Sequence, residues 1–130
     1  MVGHADRRER GLDAFASQFE IPRDEVASAL TERFGGRFAE EAIAAAGGAW
    51  TADALSLRDR SLVVVTALIV QGGVEDRLRS HVRWAIQNGS TRQELEGLVA
   101  LVAVYAGYPR ASTAMEVVRA ELDRLESQPS

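Results

Sequence analysis

Two apolar runs, LVVVTALIV at 62–70 and LVALVAVY at 98–105, set the terms on which this chain can fold. Each is apolar on every side, Thr66 being the break in the first, so each is expected to be a helix buried all round. The β-branched content of the first run would also suit a strand. Its flanks argue for a helix: Ser56-Leu57-Arg58-Asp59 resembles a capping box with Asp in place of the usual Glu, and the neighbouring segments are helical in period. Thr91-Arg92-Gln93-Glu94 is a capping box in the full sense and opens the second run.

Between these runs lies an amphipathic segment, expected as a helix over 75–88. Leu78, His81, Val82, Ala85 and Ile86 follow the spacing of one helical stripe, with Arg79, Arg83 and Gln87 on the opposite side. His81, the chain's only internal histidine, therefore points inward, about two turns from the stop at Asn88-Gly89, where either residue tolerates the left-handed conformation of a C-cap. Gly72-Gly73 makes the preceding turn. Beyond Gly107, Pro109 sits where a last helix starts, with Ala111, Ala114, Met115, Val118, Leu122 and Leu125 as its stripe. Asn88, Gly89, Gly107 and Pro109 are read as helix punctuation, without chemistry.

The first half carries weaker signals. A frayed start at 1–7 precedes a helix over 8–19 that holds Leu12, Phe15 and Phe19 and closes at Ile21-Pro22. A second helix over 23–34 holds Val26, Leu30 and Phe34, and Gly35-Gly36 breaks the chain. A third runs over 37–46 and ends at Gly47-Gly48, leaving 49–55, with Trp50, as a linker. The expected architecture is an all-α, single-domain bundle of about six to seven helices. Residues 1–55 form a helical arm or cap, 56–126 the core and 127–130 a disordered tail.

At 130 residues the chain can bury a real core but is small for an enzyme working alone. Two all-round apolar helices exceed what one subunit surrounds, so a homo-oligomer is expected, with 62–70 or 98–105 close to the interface. A monomer covered by its N-terminal helices is the alternative. The chain has no cysteine, which excludes disulfides, thiolate metal sites and thiol redox chemistry within it. With His4 and His81 as the only histidines, no metal site is expected within one subunit. A net charge of -4 gives no electrostatic footprint for nucleic acid. The start MVGHADRRERG lacks the apolar core of a signal peptide, and no apolar stretch approaches the ~20 residues that span a bilayer. A cytoplasmic protein without a membrane partner is the expectation.

Three stretches, LRDRSLVVVTALIVQGG, HVRWAIQNGSTRQEL and AVYAGYPRA, together resemble the carboxymuconolactone decarboxylase family in order and spacing over about half the chain. That family shares its all-helical, alkylhydroperoxidase D-like fold with disulfide reductases that use a Cys-x-x-Cys-x-x-x-His motif. Here the cysteine positions fall on Val74 and Arg77 and the histidine on His81. Without a thiolate there is neither nucleophile nor resolving partner, so thiol peroxidase chemistry is not expected.

The decarboxylase branch keeps the histidine without the cysteines, and the resemblance implies a cofactor-free lyase acting on a small lactone or organic acid. Loss of carbon dioxide leaves negative charge that spreads toward the lactone carbonyl, and a proton must then reach carbon. His81, with a pKa near neutrality, suits that transfer as proton donor and acceptor. Arg77, at i-4 from His81, is the first candidate for the substrate carboxylate and Arg60 the next, with Trp50 and Tyr105 as further substrate-binding candidates. The resemblance also implies a trimer or hexamer. Where the family has Gly-Glu-apolar-Trp and then Arg-Pro-Gly-Leu, this chain has Gly47, Gly48, Ala49 and Trp50, then Ala52, Asp53, Ala54 and Leu55. Trp50 and Leu55 match, but the carboxylate and its arginine do not, which leaves the substrate unassigned. Isomerase or cyclase chemistry on the same scaffold, and a non-catalytic oligomeric binding protein whose His81 is an ordinary core histidine, are the alternative readings.

Overall fold

A computed structural model describes residues 3–51 and 54–129. Among these the chain is helical, with α1 His4–Phe19, a 3-10 turn Arg23–Glu25, α2 Val26–Phe34, α3 Gly36–Ala49, α4 Leu57–Gln71, α5 Glu75–Gln87, α6 Arg92–Ala106 and α7 Tyr108–Glu126. Contacts divide the chain into two compact units, Met1–Ala54 and Leu55–Ser130. Of the segments read above as frayed or unstructured, residues 1–2 and 130 lie outside the described residues, and so do the two departures at Ala52 and Asp53.

In the first unit α3 packs against both α1 and α2. Leu12, Val26, Leu30, Ala39 and Ile43 form its core, with Phe15 and Phe19 packed against it. α1 starts at His4, four residues before the expected position. Gly47 and Gly48 do not end α3; the helix continues to Ala49, with Trp50 as its C-cap. The reason is close packing: a Cβ on Gly47 would fall 1.7 Å from the carbonyl oxygen of Arg7, and one on Gly11 would fall 1.8 Å from that of Ile43. The glycines are there so that the two helix backbones can touch, and Ala39, Ile43 and Gly47 make the buried edge that does so.

In the second unit α4 and α5 form an antiparallel pair around Gly72-Gly73. The amide of Asn88, the residue after α5, donates to Ser61 Oγ near the start of α4 at 2.9 Å. α7 packs against α5 and α6, and α4 against α6. Val65, Ile69, Leu78, Val82, Ala85, Leu95, Val99, Val118 and Leu122 interlock in the core. The Thr91–Glu94 capping box forms with both of its bonds, and Ser56 Oγ accepts from the Asp59 amide. Arg92 in the first turn of α6 reaches across to Asp123 and Glu126 at the end of α7, at 2.8 and 3.1 Å. Gly89, with φ of 108°, takes the left-handed position; Asn88 does not.

Within one chain the two apolar helices are not buried on every side. In α4 Ser61, Val65 and Ile69 are buried, but Val63 is 56% exposed and Val70 48%. In α6 Leu95, Val99, Val102 and Ala103 are buried, whereas Leu101, Val104 and Tyr105 are 63%, 68% and 85% exposed. The helices of the second unit leave α4 and α6 neighbours on one side only, so each shows an apolar outer stripe.

The α1–α3 contact yields a test. Gly47→Ala adds about 1 kcal/mol of helix propensity, but overpacking against a carbonyl that cannot rotate away costs ~1–3 kcal/mol. A net loss of up to about 2 kcal/mol is expected in urea unfolding of the full chain. Gly97→Ala, on α6 with open space around the new Cβ, is expected to raise stability by up to ~1 kcal/mol under monomeric conditions.

Candidate functional site

α5 sets the positions of the chemically interesting side chains. Leu78, Val82 and Ala85 are buried, and His81 rides on the same stripe, largely enclosed, with its Nδ1 edge sealed from solvent. Its ring centroid lies 6.0 Å from that of Trp84, a residue 2% exposed that the stripe reading did not single out.

Burial removes the hydration that a charged imidazole needs, and the Arg83 charge beside it adds repulsion; together they push the His81 pKa down from 6.5 to about 4. This corrects the expectation of a value near neutrality. At pH 7 the ring is neutral, a proton acceptor until something anionic comes near.

The other candidates are spread along the fold. Arg77, one turn before His81, is exposed and lines a polar groove of about 470 Å³ with Glu75, Asp76 and Arg79. Asp76 pairs with Arg79 at 2.5 Å rather than with Arg77. Arg60 stands in α4 with its Nε buried; the neighbouring Asp59 pairs with Arg58 at 3.1 Å. Trp50 caps α3 in the first unit and is half-buried. Tyr105 stands on the outward stripe of α6.

A second cleft, of about 320 Å³, opens where the α4–α5 turn meets the start of α7. Leu68 and Ile69 from α4 and Leu78 from α5 give it apolar walls, and Glu75, Arg110 and Thr113 stand among its lining residues. A third cleft, of about 300 Å³, lies between the start of α6 and the end of α7, lined by Ile86, Ser90 and Leu122 among others. His81 lines none of these three. It follows Leu78, the inner wall of the second cleft, by three residues on the same stripe, about 4.5 Å along the helix axis.

Arg110 is the residue that sequence reasoning missed. Its Nη1 donates to the Gln71 carbonyl, the last of α4, at 2.5 Å. The Pro109-Arg110 pair stands in one of the three stretches that carry the resemblance, but no helical period links it to His81.

Protonation of His81 is a stability switch whose sign is fixed. Because the folded pKa is depressed, the unfolded chain binds the proton more readily between pH 6.5 and 4. This contribution to stability is fully present above about pH 6.5 and is lost as the pH falls toward 4, by on the order of 2–3 kcal/mol for a largely enclosed ring. Urea unfolding across that window is expected to show the loss in the native chain and a flatter profile in His81→Gln. Parallel profiles would place the ring in solvent.

Comparison with known proteins bears on this geometry. The chain is 38% identical over 71 residues to the 4-carboxymuconolactone decarboxylase of Acinetobacter baylyi, a match that covers 55% of this chain. It spans about half the length of that relative, 52%. The carboxymuconolactone decarboxylase family model matches residues 37–120, which takes in α3 to α6 and most of α7. With that span matched and an all-α fold to go with it, the chain belongs to the carboxymuconolactone decarboxylase family.

Proposed function

We propose that this protein is a carboxymuconolactone decarboxylase-like, cofactor-free lyase that acts on a small lactone or organic acid, with His81 handling the proton and an arginine holding the carboxylate. The observation that carries the reading is an enclosed, neutral imidazole one turn from the wall of a small-molecule-sized cleft, in a chain whose relative is a decarboxylase.

The chemistry follows from the ring's environment. An anionic substrate beside His81 offsets the cost of charging it and raises its pKa, so the ring takes a proton from water as substrate binds. The bond to the leaving carboxylate breaks and carbon dioxide departs. Its electron pair delocalises toward the lactone carbonyl, and the imidazolium then delivers its proton to carbon. One proton is consumed per turnover, and the ring returns to neutral.

We also propose a homo-oligomer, a trimer or hexamer of the family type. The support is the outer stripe of α6, where Gly97, Leu101, Val104 and Tyr105 recur at helical spacing and stand exposed. Among the described residues no helix is long and apolar enough to cross a membrane.

A second reading has its own observation. His81 lines none of the three clefts, and Gly48 and Ala52 stand where the family pattern has Glu and Arg. These favour either different proton-transfer chemistry on the same scaffold, an isomerisation or cyclisation without carbon dioxide release, or a non-catalytic oligomeric binding protein.

Carbon dioxide release from 4-carboxymuconolactone separates these readings. His81→Gln is expected to lower kcat by about 10²–10⁴, and equal rates would remove His81 from the mechanism. In the native chain kcat/KM, which reports the free protein, is expected to fall as pH rises above about 4. The corresponding limb of kcat, which reports the bound state, is expected at higher pH. Sedimentation velocity is expected to show a species of three or six chains, and Leu101→Asp with Val104→Asp to reduce it to single chains with the helix content retained.

A further inference from the structure

We propose that the cleft between the α4–α5 turn and the start of α7 is a binding site for a small carboxylate with an apolar body, and that Arg110, rather than Arg77 or Arg60, is the cation that receives the carboxylate. The inference rests on the reading above that the chain handles a small organic acid, and it adds the place and the recognising residues.

Three features of the cleft specify the ligand. Its volume of about 320 Å³ stands at the small end of ligand pockets, room for a single ring with a short substituent. Leu68, Ile69 and Leu78 offer hydrocarbon to that ring, and Leu78 is 4% exposed, which makes it a fixed inner wall rather than a surface residue. Arg110 brings a guanidinium whose position is set by the fold. Its Nη1 bonds to the Gln71 carbonyl, and it lies so close over Gly72 that a Cβ there would fall 1.8 Å from it. One N–H is used on the carbonyl; a guanidinium has five in a planar fork, and a carboxylate is the group that fork matches.

Glu75 lines the same cleft, so its negative charge works against Arg110 for any anion bound there. Thr113, exposed on α7 among the lining residues, is a position at which the cleft can be filled without disturbing the core.

Isothermal titration calorimetry with sodium benzoate, on the full chain at fixed pH and ionic strength, tests this. Native protein is expected to bind benzoate, with acetate at least tenfold weaker because it leaves the apolar walls unfilled. Arg110→Gln is expected to weaken benzoate at least tenfold, and Glu75→Gln to tighten it severalfold. Because Arg110 also ties the end of α4, Arg110→Gln is read beside Thr113→Trp, which keeps Arg110 and plugs the cleft, and which is expected to abolish binding. No benzoate binding to the native chain, or binding unchanged in both Arg110→Gln and Thr113→Trp, overturns the proposal. The outcome is separate from that of the lyase reading. His81→Gln that loses turnover while benzoate still binds leaves the cleft standing, and turnover that depends on His81 but not on Arg110 or Thr113 removes the cleft alone.

Discussion

Gly72 and Gly73 both have positive φ, 70° and 73°, and this pair lets α4 stop on a fixed carbonyl while α5 starts back alongside it. A side chain at either position would be strained by the backbone alone. At Gly72 it would also strike the guanidinium that bonds to that last carbonyl. From this turn follow the antiparallel course of α4 and α5, the bond from Asn88 to Ser61 at the far end of the pair, and the direction in which the α5 stripe faces. A cation at the end of α4 also meets the negative end of that helix's dipole, so Arg110 is held by geometry and by charge together.

What was legible in the sequence is what local periodicity encodes. The spacing of Leu78, His81, Val82 and Ala85 placed the imidazole inward because a helix with that stripe has one side to bury, and the full capping box at Thr91 fixed the start of α6 because its two bonds close within four residues. Legibility failed where a residue's job is set by something distant. Gly47 looks like a helix stop until α1 is known to press on it. The pairing of Arg110 with Gln71 spans 39 residues, and no helical or strand period points to it.

Apolar runs mislead in a related way. All-round apolarity in α4 and α6 states that every side wants cover, not that one chain supplies it. The exposed stripes hold Val63 and Val70 on one helix and Leu101, Val104 and Tyr105 on the other. Tyr105, a pocket candidate from the family pattern, sits on that outward stripe. Its phenol suits an interface, where an aromatic body packs and its hydroxyl stays wet.

The surroundings of His81 set how its charge state answers to whatever comes near it. Of the arginines of α5, Arg79 pairs with Asp76, and Arg83 is the one whose charge acts on the ring. Arg83 joins burial in keeping the imidazole neutral. Adding another cation nearby deepens that state; adding an anion reverses it, since the same low-dielectric surroundings that penalise a lone charge strengthen its attraction to an opposite one. An anion bound beside the ring would therefore bring proton uptake with it, and that coupling would be reciprocal: whatever factor the anion contributed to protonation, protonation would return to the affinity for the anion. A histidine left in water would titrate near its ordinary value whether or not a ligand were present. Burial is what makes this one wait.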